Sequence, residues 1–317
     1  MRLPRNIKAA LLLFFFPCFS VELLSGNTPL LVILINPIGY MLMNLMYGGA
    51  ALLIRETVIR WNKGLVSVLL FGLAYGMVNE GIGSKGFFDP NFYALVGWGL
   101  ENFGRVFGIN VPWALGISVF HMVFSITVPI MIVNALFPER ERWLNDKAFF
   151  TLLAVFLVGA VFFSQLFNGP YIPDTRAYVL VITLILLLVM AARFCPEFPD
   201  LKRINFTNTA LLNGLPFLCG LVAALASFTI PAAVRHLVPF PVFYIISLAG
   251  VEFLFVLVFW RFLQMPPRSR IALAAGVLTP MIMMALTSGK PIVFVALVLI
   301  VFLIMAWRKS STEFAKI

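Results

Sequence analysis

Glu80, His121 and Glu252 stand in stretches of sequence that are otherwise almost wholly apolar. A carboxylate or imidazole in such surroundings is costly, so it pairs, changes its protonation, or lines a wet cavity. Glu80 follows Asn79 in the run Asn79-Glu80-Gly81-Ile82-Gly83, a polar pair where glycine makes a helix end irregular. It suits a general base, a metal ligand or a cation site, and equally a plain helix-end carboxylate in water. His121 has Ser118 three residues before it and Ser125 four after. One helical stripe therefore carries an imidazole and two hydroxyls. That stripe fits acid–base chemistry, metal binding or a proton relay; a neutral imidazole hydrogen-bonded between packed helices is the simpler alternative. Glu252 is flanked by Val251, Phe253, Leu254 and Phe255. It is either neutral or has a partner such as His121 or Lys290.

Arg55 and Glu56 lie near the end of an apolar run, where they can anchor it or pair with neighbours. Asn44, Gly48, Ala51 and Arg55 share one helical face, so a small and polar seam should turn toward other helices. Glu22 reads as a solvated charge at a helix end; a vestibule shared with Glu80, Asp89 and Glu101 is the alternative. His236 reads as a loop residue. Cys18, Cys195 and Cys219 form no C-x-x-C pair, so neither a disulfide framework nor a zinc site follows. No Walker A, G-x-S-x-G or H-E-x-x-H motif is present. The sequence names no cofactor and leaves metal use open.

The elements that must position these groups follow from composition. Of 317 residues, 62% are hydrophobic and 11% charged, with a mean hydropathy of +1.01. A soluble domain has about 25% charged residues. The sequence therefore predicts an all-α, polytopic transmembrane bundle in one integral domain, 1–317. Disorder, a disulfide scaffold and an ordinary soluble enzyme are excluded. Crossing a bilayer takes about 20 mostly apolar residues. Ten such runs are present, near 7–25, 36–59, 64–83, 111–137, 148–167, 176–193, 209–230, 240–261, 271–288 and 291–307. The ninth and tenth lie so close that a single re-entrant hairpin is an alternative. Pro129, Pro216 and Pro280 interrupt the fourth, seventh and ninth.

The net charge of +10 would suggest nucleic acid in a soluble protein. Here the basic residues flank apolar runs, so the bilayer is the expected partner and nucleic acid is not. Arg2, Arg5, Lys8, Arg60, Lys63, Arg140, Arg142, Lys147, Arg193, Lys202, Arg203, Arg261, Arg268, Arg270, Arg308, Lys309 and Lys316 fall on one set of connections, 17 of the 23 basic residues. Lys85, Arg105, Arg176, Arg235 and Lys290 fall on the alternate set. The positive-inside rule then places both termini in the cytoplasm of a multi-pass cell-membrane protein.

The longest outer segment, about 84–110, contains an Asp89-Pro90 helix start followed by apolar residues at helical spacing. It predicts an amphipathic helix over about 89–107 on the outer interface, with Glu101 and Arg105 as an i,i+4 pair. Its aromatics read as an interfacial belt, or else as a lid over a cavity. In the third span, Gly72-Leu73-Ala74-Tyr75-Gly76 is a small-xxx-small match that permits close helix approach.

Tyr75-Gly76-Met77-Val78-Asn79-Glu80-Gly81, with Phe120-His121 further on, resembles the CAAX-protease and bacteriocin-processing (CPBP) intramembrane peptidases. The resemblance implies Glu80 as the base that activates water and His121 as a site histidine. It departs from that family's pattern at Asn79, at Ser84-Lys85 and at Ile117, and it lacks a second membrane histidine.

Three functions fit the sequence. The first is a secondary transporter or carrier of lipid or small solutes. Its proton-titrating site would draw on Glu252 or His121, with Asn79, Ser118, Ser125, Arg55 and Glu56 as further binding or coupling residues. The second is an intramembrane hydrolase acting on peptide or lipid through Glu80 and His121. The third is a non-catalytic scaffold or complex subunit. Whether Glu80, His121 and Glu252 converge on one cavity decides most between them.

Overall fold

A chain in hydrocarbon must satisfy its backbone within its own segments, which leaves helices as the answer for apolar runs of this length. The computed structural model describes residues 3–168, 171–196, 209–262 and 265–314. Ten helices in it are long and apolar enough to cross a membrane. They are α1 (Arg5–Leu23), α2 (Pro37–Arg60), α3 (Leu65–Gly83), α4 (Val111–Leu136), α5 (Asp146–Leu166), α6 (Thr175–Phe194), α7 (Leu212–Leu237), α8 (Pro241–Phe262), α9 (Pro267–Thr287) and α10 (Ile292–Ser310). The all-α polytopic bundle is thus observed. The ninth and tenth helices have 21 and 19 residues, each long enough to cross a membrane. Arg2, Lys202, Arg203 and Lys316 of the charge pattern lie outside the described residues.

The helix starts follow capping chemistry. Asn36 accepts from the Gly39 N–H at 2.9 Å ahead of Pro37, and Asn110 accepts from the Trp113 N–H at 3.0 Å ahead of Pro112. Asp174 accepts from the N–H groups of Arg176 and Ala177 at 2.9 and 3.2 Å. At its other end α7 runs on to Leu237, so His236 sits in a last helical turn and not in a loop.

Helix α4 is the axis of the bundle: 83% of its apolar stretch is buried, against 17% for α6. Glycines bring α3 onto α4. A Cβ at Gly76 would lie 2.6 Å from Ser118 Cα, and one at Gly72 3.0 Å from Met122 Cα. The small-xxx-small match therefore does what its spacing suggests. The seam on α2 is equally tight: a Cβ at Gly48 would fall 1.6 Å from the Phe14 carbonyl oxygen of α1. A second close pair, α7 on α9, uses Gly220 and Gly276.

The outer segment corrects the sequence reading. In place of a helix over 89–107 there is a five-residue helix, Tyr93–Gly97, and a small hairpin, β1 (Arg105–Val106) paired with β2 (Ile109–Asn110). Asp89 closes a turn through the Asn91 N–H at 2.8 Å without starting a helix. Gly99 and Gly104 then take positive φ, and Phe107-Gly108 forms a left-handed hairpin turn with φ of +49° and +78°. The Glu101–Arg105 ion pair is absent: Arg105 donates to the backbone carbonyls of Glu101 (3.1 Å), Phe88 and Gly108 (2.9 Å). Nor do the aromatics form a simple belt, because Phe87, Phe88 and Phe92 are buried while Trp98 and Phe107 stay exposed.

Candidate functional site

Four π-helical segments interrupt the first four helices: Phe19–Leu23, Leu45–Gly49, Val78–Gly83 and His121–Thr127. Such segments make up well under 1% of residues in ordinary proteins and recur at functional sites. Each wide turn carries at least one polar residue of a single buried cluster: Glu22 on the first, Tyr47 on the second, Asn79 and Glu80 on the third, His121 and Ser125 on the fourth. Local causes are visible. Pro129 lacks an N–H and crowds the carbonyl four residues earlier, so the turn before it opens. Glycine loosens the second and third segments at Gly48, Gly49, Gly81 and Gly83. An i→i+5 turn rotates the residues after it relative to an α-helix. Side chains that a regular phase would place elsewhere therefore point to the common centre.

His121 is the hub. Its Nε2 lies 3.4 Å from Glu80 Oε1 and 3.2 Å from Asn79 Nδ2, and its Nδ1 lies 2.9 Å from Ser125 Oγ. Asn79 Nδ2 also donates to the Tyr47 hydroxyl at 3.3 Å, and Tyr47 donates in turn to Glu22 Oε1. Thr28 Oγ1 donates to the other Glu22 oxygen at 3.1 Å. Ser84 Oγ donates to Glu80 Oε2 at 2.9 Å. The rings of Tyr47 and Tyr75 flank the imidazole, with centroids 5.7 and 5.6 Å away.

Nε2 faces a donor, Asn79, and an acceptor, Glu80. A neutral imidazole protonated on Nδ1 donates its Nδ1–H to Ser125 Oγ, and its Nε2 accepts from the Asn79 amide. An imidazole protonated on Nε2 donates to Glu80 and confronts the Asn79 amide. Neither state satisfies both neighbours, so a single proton decides which contact is made. Three polar atoms beside the cluster are buried and unpartnered: the Tyr75 hydroxyl, Asn79 Oδ1 and Ser118 Oγ. Polar groups left this way favour a bound polar species.

The segment 84–110 seals the cluster. Gly86 lies against Glu80, where a Cβ would come within 3.1 Å of Oε2. Lys85 takes φ +55° and donates to the Tyr171 carbonyl at 2.9 Å. The Tyr171 hydroxyl donates to the Phe88 carbonyl at 3.0 Å. Burial raises the Tyr171 phenol above its usual range, and Asp89 adds to the effect while Arg105 opposes it. From α7, Arg235 donates to the carbonyls of Trp98 and Gly99 at 2.7 and 2.6 Å. Glu80 keeps 13% side-chain exposure and His121 only 2%.

Of the residues singled out in the sequence, Glu80, His121, Asn79 and Ser125 meet. Ser118 is buried beside them without a polar partner. Glu252 does not join: its Oε1 is buried and unpartnered, His121 is engaged with Glu80, and Lys290 is exposed. Arg55 and Glu56 lie at the other end of α2 and are neither free nor snorkelling. Arg55 donates to Glu56 (2.6 Å), Asn134 (3.4 Å) and the carbonyls of Glu141 (2.7 Å) and Glu139 (3.4 Å), and stacks on Trp143. Glu56 accepts the N–H groups of Trp143 and Leu144 at 3.0 and 3.2 Å. Glu22 is the opposite correction, a core member and not a solvated end charge. Tyr47, Thr28 and Ser84 were not legible as site residues. The one sequence signal was a tyrosine beside paired glycines, Tyr47-Gly48-Gly49, within an apolar run. Among the described residues no group of three His, Cys, Asp or Glu side chains is placed to hold a metal ion.

Ten apolar helices, the first four of them enclosing a buried polar cluster, define a multi-pass integral membrane protein. Residues 11–315 match the Uncharacterized membrane protein family, and the chain belongs to it. No curated protein and no solved structure matches the chain.

Proposed function

We propose that the protein is an intramembrane hydrolase acting on a peptide or lipid, with the Glu80–His121 pair as its acid–base machinery. The observation that carries this reading is the approach of Glu80 Oε1 to His121 Nε2, 3.4 Å, beside the unpartnered hydroxyl of Tyr75. In the reaction Glu80 takes a proton from water as the oxygen attacks a carbonyl. Tyr75 donates to the oxyanion that forms; as the carbonyl–leaving-group bond breaks, the proton held by Glu80 passes through His121 Nε2 to the leaving group, which returns both residues to their starting states. Catalytic contacts of this kind tighten once substrate is bound. The CPBP resemblance implies Glu80 as the base that activates water and His121 as a site histidine. The family match carries no activity, so the reading rests on the site. In this reading the basic connections face the cytoplasm, and the sealed cluster lies toward the opposite side of the membrane.

The test is product analysis. Membranes containing the wild-type chain, Glu80→Gln or His121→Ala are compared by mass spectrometry of released peptides and lysolipids. A product made only by the wild type, with both variants folded in detergent, supports the reading. Identical profiles from all three overturn it.

A second reading, proton-coupled carriage of a small solute or lipid, is favoured by the position of His121 between a donor and an acceptor. Uptake into liposomes driven by a pH gradient, lost in His121→Ala and kept in Glu252→Gln, would select it. Loss in Glu252→Gln alone would move the coupling site to α8.

A further inference from the structure

At the end of the bundle opposite the sealed cluster, a cavity of about 610 Å³ opens between the ends of α2, α3, α4, α8 and α9. Four cations line it: Arg55, Lys63, Arg140 and Arg270. The single carboxylate on its wall, Glu139, pairs with Arg5 at 2.8 Å. Arg55 is neutralised by Glu56 at 2.6 Å. The other three cations have no carboxylate partner among the described residues. Lys63 Nζ donates to the Cys195 carbonyl at 2.9 Å, and Arg140 donates to the Lys63 carbonyl at 2.6 Å. A neutral carbonyl orients a cation without cancelling its charge. Arg270 goes further: its Nε is buried and has no hydrogen-bond partner. A buried guanidinium edge without an acceptor is costly, and its planar fork fits a phosphate or carboxylate.

The rest of the wall sets the ligand's character. Asn62, Asn134 and Thr127 supply neutral donors and acceptors, while Val58, Leu65 and Val68 line an apolar side. Three uncompensated cations on three separate elements surround one space. A tetrahedral dianion can bond several of them at once.

We propose that this cavity binds a phosphate group, held by Arg270, Arg140 and Lys63. The phosphate could be the headgroup of an anionic lipid or part of a soluble phosphate ester; the apolar wall accommodates the carbon chain of either. The site is independent of the Glu80–His121 cluster and of the activity proposed for it.

The experiment uses the full chain in detergent micelles. Native mass spectrometry and thermal shift are measured with inorganic phosphate, with glycerol 3-phosphate and with short-chain phosphatidic acid; short-chain diacylglycerol is the uncharged control. Binding of phosphatidic acid alone identifies a headgroup site, and binding of the soluble phosphates as well identifies a soluble-ligand site. Arg270→Gln should weaken binding by about tenfold or more, as expected for losing a hydrogen bond to a charged group. Arg270→Lys should recover part of that loss. Arg142→Gln removes the same charge at an exposed position on the connection that carries Arg140 and should leave affinity within about twofold. Should Arg270→Gln fail to fold, Arg140→Gln at the exposed rim gives the same comparison. Absence of binding by every phosphate probe overturns the proposal. So does equal binding by diacylglycerol, or an Arg142→Gln loss as large as that of the cavity variants.

Discussion

Helix α2 carries two buried polar clusters that could hardly differ more. Toward one end Tyr47 joins Glu22, Asn79, Glu80 and His121. Toward the other, Arg55 and Glu56 fasten the connection that follows α4. In the second cluster every charged atom of Arg55 and Glu56 has a partner, several of them backbone groups of Glu139, Glu141, Trp143 and Leu144. In the first, Asn79 Oδ1 and the neighbouring Tyr75 and Ser118 hydroxyls have none. The backbone differs in the same sense. The clasp sits on regular α-helix, Ala50–Arg60, whereas the histidine cluster sits on π-turns in all four helices. A fully satisfied ion pair fixes structure. A cluster with spare donors and acceptors keeps capacity for something that binds or reacts, and π-turns recur at such sites.

If that contrast is right, breaking the clasp should cost the most. Arg55→Ala leaves Glu56 buried with its main charged partner gone, and thermal unfolding in detergent should show a loss of about 3–5 kcal/mol. A small loss would mean that the pair is not structural. Next comes the packing that brings the histidine to its neighbours. Gly76→Ala drives a Cβ into the Ser118 backbone, and about 1–3 kcal/mol should go as α3 and α4 separate. The same variant should impair any activity of the Glu80–His121 pair, because their 3.4 Å approach depends on that contact.

The outer seal should give a smaller effect. Tyr171→Phe removes one hydrogen bond to the Phe88 carbonyl, worth about 1 kcal/mol. Hydrogen exchange should quicken in 84–110 and stay unchanged at the clasp. The phenol's raised pKa sets the sign of the pH effect. The bond's stabilisation is present below the ordinary phenol range and fades as pH rises through the higher folded value. The smallest effect of all belongs to Ser118→Ala, which deletes an unpartnered buried hydroxyl and should shift stability by about 0.5 kcal/mol or less. A large loss there would show that Ser118 has a structural partner and that the spare capacity of the cluster is overstated.

Much of the architecture is legible in the residues. Runs of apolar sequence place all ten helices, and Gly72 and Gly76 announce the α3–α4 contact. The pairing of Ser125 with His121 follows from helical spacing alone. The seam of Asn44, Gly48, Ala51 and Arg55 is buried as its periodicity suggests. The segment 84–110 departs from the helix its apolar spacing suggests because Gly97, Gly99, Gly104 and Gly108 repeatedly end one. Glu22 was misread because it stands at the end of an apolar run. Nothing local shows that the chain turns back there and brings Thr28 over it. Glu252 was overrated for the converse reason: an isolated carboxylate looks anomalous in sequence whether or not the fold gives it company.

Hydrophobic length and charge placement by themselves determined that this chain is a ten-helix membrane bundle, because lipid leaves a backbone so few ways to satisfy its hydrogen bonds. They also picked out Glu80 and His121 as costly residues needing an explanation. Only the tertiary structure decided that these two meet each other and Glu22, Tyr47 and Asn79, while Glu252 stands apart. That outcome depends on helix rotation and on wide turns whose phase a linear reading assumes to be regular. It also depends on contacts between helices far apart in sequence, which no local pattern encodes.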